Sequence, residues 1–438
     1  MNSQVEELGR TDSDRPGYVE ACWIWAKIGI LSFGGPAAQI ALMHKMVVEQ
    51  KAWLNEKQYL NALGFCMLLP GPEAMQLATY AGWKIHGTLG GLMAGLLFVL
   101  PGAAIVLALA MAYVTFGDLP LTVALFLGIK AAVLIVVVEA LLRVAKRALR
   151  LPQHWGIAVL AFVGLFMLEL PYPLIIAMAA GYGFFRGREI EDGSQPVEPK
   201  NETRRGLLTG TLMTVSLWLL IWWLPIIAIE YFFDLPILTQ VGAFFSKLAV
   251  VTFGGAYAVL AYLAQDVVNQ FGWLSAGEMM DGLGLAETTP GPLILVTEFV
   301  GFIAGYRDGG VMIGLAAALI TLWVTFVPCF MWIFAGAPYL EWIGAQPRLK
   351  GALSAITAAV VGVIFNLSLW FSMQVIFTEV DAQSYGPIKI WQPTFSSVDW
   401  RVVLLSAICA LLIFRFHWNI LAVLATSSFI GVMLTLVM

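Results

Sequence analysis

Five long apolar stretches, at about 89–116, 121–145, 207–231, 311–335 and 349–375, constrain this chain more than any other feature. Roughly 20 apolar residues are enough to cross the hydrocarbon core as a helix. No water is available there to satisfy backbone N–H and C=O groups, so a segment of this kind must bond to itself as a helix. The composition agrees: 60% of the 438 residues are hydrophobic and 12% are charged, about half the charge density of a soluble domain. The fold class that follows is an all-α polytopic membrane protein with lipid as its first partner.

The same numbers exclude several functions. A net charge of −4 leaves no basic excess for neutralising phosphates, so nucleic acid is not an expected partner. Cys22, Cys66, Cys329 and Cys409 lie in apolar stretches without CxxC spacing, and His44, His86, His154 and His417 are scattered. Neither set has the clustering of a metal site, and neither a metal nor a cofactor is expected. The phosphate-loop pattern GxxxxGK[ST] does not occur, so no built-in ATP motor is expected. A membrane enzyme acting on lipid phosphates would need clustered acid, base and basic side chains, which are too sparse here; the chain is read as no enzyme.

Two pairs of shorter apolar segments, 155–169 with 172–185 and 399–415 with 418–437, read as tight helical pairs. Between 186 and 206 five bases, five acids and two prolines mark an aqueous linker. The expected organisation is an N-terminal tail at 1–17, a first membrane repeat at 18–185, a hydrophilic linker at 186–206, a connecting helix at 207–231 and a second repeat at 238–438. No removable signal peptide is evident.

The word "repeat" rests on a self-alignment. Residues 32–72 shifted by 220 positions match 252–292 without a gap at 15 of 41 positions. Shared lipid-like composition would match Leu, Val and Ala by chance, but not FGG, WL and PGP in register. Lys and Arg are held on the cytoplasmic side during insertion. Arg143, Lys146, Arg147 and Arg150 follow one span with no acid among them, whereas the equivalent loop at 376–400 carries Glu379, Asp381 and Asp399 against Lys389. The two halves therefore run in opposite directions, with the N-terminus cytoplasmic and the C-terminus external. Inverted repeats with Gly/Pro-broken helices at matching positions point to a secondary transporter whose site lies at the breaks.

The first break is Ser32-Phe33-Gly34-Gly35-Pro36, with Thr252-Phe253-Gly254-Gly255-Ala256 as its copy. Paired glycines can end one helix and start another, leaving N–H groups and the Ser32 or Thr252 hydroxyl to hold an anion at a helix N-terminus. A close helix crossing through small residues is the plainer reading. The second break is Pro70-Gly71-Pro72, followed by Glu73 and Gln76, with Pro290-Gly291-Pro292 as its copy. Proline removes a donor and disfavours helix in the residue before it. Ionisable residues within spans are functional candidates. Glu73 or Glu287 is expected to carry a coupling proton, unless paired permanently with Lys84 or Lys130. Lys27 and Lys84 would add positive charge to the site, or else reach the headgroups.

SFGGP at 32–36, WL at 53–54, LPGPEAMQLATYAGW at 69–83 and PG at 101–102, with TFGGAYAVL at 252–260 and TTPGPL at 288–293, resemble the motifs of the chromate ion transporter family. The resemblance covers essentially the whole chain and is to the long, two-domain form. It implies a bacterial inner-membrane protein that exports chromate on the proton motive force or membrane potential and confers chromate resistance. Sulfate, an oxo-dianion of similar size, is the natural competitor, and a passive anion channel is a further alternative. A homodimer stands open as a partnership.

Overall fold

The computed structural model describes residues 16–187, 204–253, 256–386 and 388–437. The expected N-terminal tail and hydrophilic linker lie mostly outside the described residues, as do Gly254 and Gly255 of the second break.

The first half opens with two helical hairpins that enter the membrane and turn back. Helix α1 (Tyr18–Leu31) stops at Ser32, and α2 (Gly35–Met43), prolonged by a π-helical stretch His44–Gln50, returns. Lys51, just past that stretch, reaches Glu20 in the first turn of α1, Nζ to oxygen 2.6 Å. Helix α3 (Glu56–Cys66) goes in again, the chain breaks at Pro70-Gly71-Pro72, and the first arm of α4 (Glu73–Phe116) comes back. At His86–Gly87 α4 reverses, with Gly87 at φ 64°, ψ −155°, a conformation open essentially to glycine alone. The His86 ring stacks on Tyr18 at 4.3 Å, and its Nε2 lies 2.7 Å from the Pro16 carbonyl. Both hairpins therefore turn back to the face where α1 begins. The second arm of α4, residues 88–116, is about 43 Å long at 1.5 Å per residue and crosses fully.

Helix α5 (Pro120–Ala148) returns, and α6 (Pro152–Phe166) and α7 (Tyr172–Arg186) form a short pair. Helix α8 (Arg204–Phe232) crosses alone. The pattern then recurs: α9 (Pro236–Val251), α10 (Ala256–Gln265) with a π-helical stretch Asp266–Gln270, α11 (Ala276–Thr288), and α12 (Val296–Gly336), which reverses at Gly309–Gly310. After the short α13 (Leu340–Ala345) come α14 (Pro347–Ile376), α15 (Trp400–Ala410) and α16 (Ile420–Val437). Local chemistry repeats with the path. Asn55 with Gln58 and Ser275 with Glu278, each pair 220 residues apart, form capping boxes at the starts of α3 and α11. Left-handed residues recur at Ala52 and Gly272, Gly71 and Gly291, and Glu169 and His417.

The inversion shows in the packing. Helix α16 runs antiparallel to α5, with Ser427 Oγ donating to the Gly128 carbonyl at 2.7 Å and Gly431 seated against Ala124. It therefore ends where α5 begins, on the face opposite the start of α1. The terminal helical pairs are exchanged between halves: α6 and α7 lie on α14, where His154 Nε2 sits 3.3 Å from Ser354 Oγ and Gly183 meets Gly351. One element departs from the all-α expectation. Within the segment read as a loop, β1 (Val380–Tyr385) pairs antiparallel with β2 (Ile388–Pro393) around Gly386. Val380, Ile388, Ile390 and Trp391 favour strand, and Gly386 at φ 64° makes the turn.

Candidate functional site

The four breaks meet. Gly71 N–H donates to the Thr252 carbonyl at 2.8 Å, and Gly291 N–H donates to the Ser32 carbonyl at 2.9 Å. These bonds are related by the repeat: the PGP tip of each half is held by the end of the first re-entrant helix of the other. Gln39 closes the junction on one side, its Nε2 donating to the Gly291 carbonyl at 2.6 Å and the Ser32 carbonyl at 3.3 Å. Gln76 Nε2 donates to the Pro70 carbonyl at 2.6 Å. The Oε1 atoms of both glutamines are buried without a hydrogen-bond partner. Each glutamine stands five residues past a left-handed glycine of its break, Gly34 or Gly71, and the repeat places Val259 and Val296 at the matching positions. The two carboxamides at the junction thus come from the first half.

The expectation that the Ser32 and Thr252 hydroxyls would donate to an anion meets a different arrangement. Ser32 Oγ donates to the Ile28 carbonyl and Thr252 Oγ1 to the Leu248 carbonyl, both at 2.6 Å. A helix ending in an apolar interior leaves carbonyls without partners, and the nearest hydroxyl satisfies them. The amides of Gly71 and Gly291 are spent across the halves in the same way. What remains among the described residues is the start of α2. Gly34 lies at φ 85°, ψ 24° and Gly35 at φ 77°, so the chain turns away from α1 and aims fresh N–H groups forward. The amides of Gly34 and Gly35 have no acceptor among the described residues.

That helix start opens into a cavity of about 480 Å³ lined by Phe33, Gly34, Ala38, Glu139, Arg143 and Glu287, and by the turn between α15 and α16 at His417–Leu421. Arg143 is paired with Glu139 one turn before it on α5. Glu287, buried at the end of α11, accepts from Tyr257 Oη at 2.7 Å. Arg143 was legible in the sequence only as a marker of orientation, and Gln39 not at all; the signal for Gln39 would have been its repeat of the Gln76 offset. The repeat places Asn366 and Trp370 of α14 opposite Glu139 and Arg143, just as Pro347 answers Pro120. Those two residues line a second cavity with Leu165, Glu169, Ala261 and Gln265, and it measures about 30 Å³. The two vestibules are related by the repeat and lie toward opposite faces. One holds roughly one or two waters, and the other extends to the break.

The remaining candidates divide. Glu73 is half-buried at the first position of α4, beside the PGP tip. Lys27 is exposed, with its ammonium 5.9 Å from the Trp23 ring centroid, and Lys84 is exposed two residues before the reversal at His86. Neither lysine is brought to the breaks. Lys130 pairs at 3.2 Å with Asp281, buried on α11, which also accepts from Tyr113 Oη at 2.9 Å. Pro72 and Pro292 sit in extended backbone just after their glycines, and the Pro290 carbonyl packs on Gly102. No group of three or more His, Cys, Asp or Glu side chains could hold a metal ion among the described residues.

The family model described as "Chromate transporter" matches residues 19–184 and 239–432. The chain belongs to the chromate transporter family. A chromate transport protein of Cupriavidus metallidurans is 30% identical over 341 residues, covering 77% of this chain and 78% of the relative. One of Pseudomonas aeruginosa is 30% identical over 354 residues, covering 77% of each chain. An uncharacterized transporter of Methanocaldococcus jannaschii is 26% identical over 378 residues, or 86% of this chain and 89% of that one. No solved structure matches. The two matched stretches of this transporter are the halves whose breaks meet at the junction, and the unmatched interval between them includes all of α8.

Proposed function

We propose that this protein is a secondary transporter that carries chromate out across a bacterial inner membrane and so confers chromate resistance. The observation that carries this reading is the vestibule ending on Phe33 and Gly34 at the start of α2. Unspent amides at the start of a helix, with the dipole behind them, hold an oxyanion by hydrogen bonding and by the positive end of the dipole. The names of the relatives from Cupriavidus metallidurans and Pseudomonas aeruginosa support chromate as that anion. In this reading the cluster Arg143, Lys146, Arg147 and Arg150 marks the cytoplasmic face, so the wide vestibule loads from the cytoplasm. The N-terminus is then cytoplasmic and the C-terminus periplasmic.

Exporting a dianion down an inside-negative potential is favourable by about 2.3 kcal/mol per charge per 100 mV, enough to drive net flux without ATP. A proton is carried, in this reading, by Glu287, which lines the vestibule, in preference to Glu73. Radiolabelled chromate uptake into everted vesicles, with unlabelled sulfate as competitor, tests the function: saturable, potential-driven uptake that sulfate displaces only weakly is expected. Equal competition would make the substrate sulfate-like oxyanions generally, and non-saturating flux would make the protein a channel. If Glu287→Gln leaves the response to a pH gradient intact while Glu73→Gln abolishes it, the proton belongs to Glu73.

A further inference from the structure

The Glu139–Arg143 pair faces the vestibule instead of the lipid, and nothing in the anion-binding role of the α2 amides requires it. Three observations bear on it. Arg143 and Glu139 line the same cavity as Phe33 and Gly34. Their carboxylate–guanidinium contact is direct, and both remain partly exposed, at 43% for Arg143 and 25% for Glu139. The repeat-related positions Asn366 and Trp370 carry no charge, although they line the opposite vestibule. An i,i+4 pair of this exposure adds little to the stability of a helix, so its place beside Phe33 and Gly34 in the vestibule, and not helix stability, is what sets it apart.

We propose that Glu139 is an internal stand-in for the substrate: an incoming tetrahedral dianion takes Arg143 from it, and its return to Arg143 lets the empty carrier reset. The chemistry supports the exchange, because Arg143 holds Glu139 through a single Nη2–Oε1 contact, whereas a tetrahedral oxyanion presents two oxygens that a guanidinium can take together. The energetics give the exchange a purpose. Moving an unpaired guanidinium through an apolar barrier is costly, whereas a paired one moves as a neutral unit. The other groups facing the pair are Glu287 from α11, Tyr257 from α10, whose hydroxyl is given to Glu287, and His417 from the turn after α15. Glu287 lies within electrostatic reach of both Glu139 and Arg143, and one of its oxygens is held by Tyr257. A carrier without Glu139 would hold an unpaired Arg143 when empty and could return only when loaded.

This inference rests on the transport reading and separates from it in one experiment. The full chain in proteoliposomes is assayed in two modes, net chromate efflux into chromate-free buffer and exchange of labelled chromate against unlabelled chromate. For Glu139→Gln, exchange should stay within about twofold of wild type while net efflux falls at least about tenfold, the penalty of an unneutralised guanidinium in the empty state. Glu139→Asp should restore net efflux, and Arg143→Gln should lose both modes. Retained exchange itself reports a folded protein. If Glu139→Gln lowers both modes in parallel, or neither, the stand-in role is wrong. If the wild type moves chromate in neither mode, the transport reading itself fails.

Discussion

At the residue scale the junction depends on conformations and bonds that few side chains permit. Gly34 at φ 85° carries the turn, and a valine there adds about 1–3 kcal/mol of local strain while projecting an isopropyl group toward the vestibule. Gly34→Val should leave membrane levels close to wild type and remove chromate transport; wild-type flux would exclude the α2 amides as the site. Gln39 makes a different point, because its Nε2 serves two carbonyls from opposite halves. Gln39→Ala leaves the Ser32 carbonyl its Gly291 N–H but strands the Gly291 carbonyl in an apolar interior at about 1–3 kcal/mol, which should appear as a lower melting temperature of the detergent-solubilised protein. A melting temperature equal to wild type would mean water replaces the side chain. The glycines could be read from the sequence because φ preference is local. Gln39 could not, since its meaning lies in a partner 252 residues away. Ser32 and Thr252 misled for the same reason: a hydroxyl at a break reads as a free donor until the neighbouring carbonyl is placed.

At the element scale, apolar length is visible in a sequence and direction is not. The runs read as spans correspond to α5, α8, α14 and the long arms of α4 and α12, and the breaks fall where Gly and Pro stand. That the helices on either side of each break fold back as hairpins was not legible, since periodicity cannot distinguish a helix that continues from one that returns. The polar step Lys84–Thr88 does mark the α4 reversal, and Gly82 and Gly90 then face each other across the hairpin with no space for a Cβ. Gly102 shows how tightly the long arm is used: a Cβ there would overlap the Pro290 carbonyl oxygen of the opposite half. Because that neighbour is backbone, Gly102→Ala should push the second PGP tip off the junction. Overpacking of this kind costs about 1–3 kcal/mol, so the expected signature is impaired transport with only a modest loss of stability. Unimpaired transport would show that the tip has slack the packing does not suggest.

At the scale of the molecule, two inverted halves share one junction, and their vestibules cannot be equivalent in any single conformation. The sequence carried the repeat and its inversion, through the 220-residue offset and the placement of basic residues, but not which side stands open. That depends on how the terminal pairs α6–α7 and α15–α16 sit against the re-entrant hairpins, a matter of packing between residues hundreds of positions apart. With about 480 Å³ on one side and about 30 Å³ on the other, this state is open toward the face bearing the α5 basic cluster. Replacing Cys22, Cys66, Cys329 and Cys409 gives a background in which single cysteines report access. A cysteine at Ala38, on the wide vestibule, should react with a membrane-impermeant thiol reagent in everted vesicles, and one at Ala261, buried in the narrow vestibule, should resist the reagent applied from the periplasmic side. If the halves exchange roles during transport, saturating chromate under an imposed potential should slow modification at Ala38 and speed it at Ala261. Rates that change at one position alone, or in the same sense at both, would mean the vestibules do not alternate, and that the inverted repeat builds a single pathway.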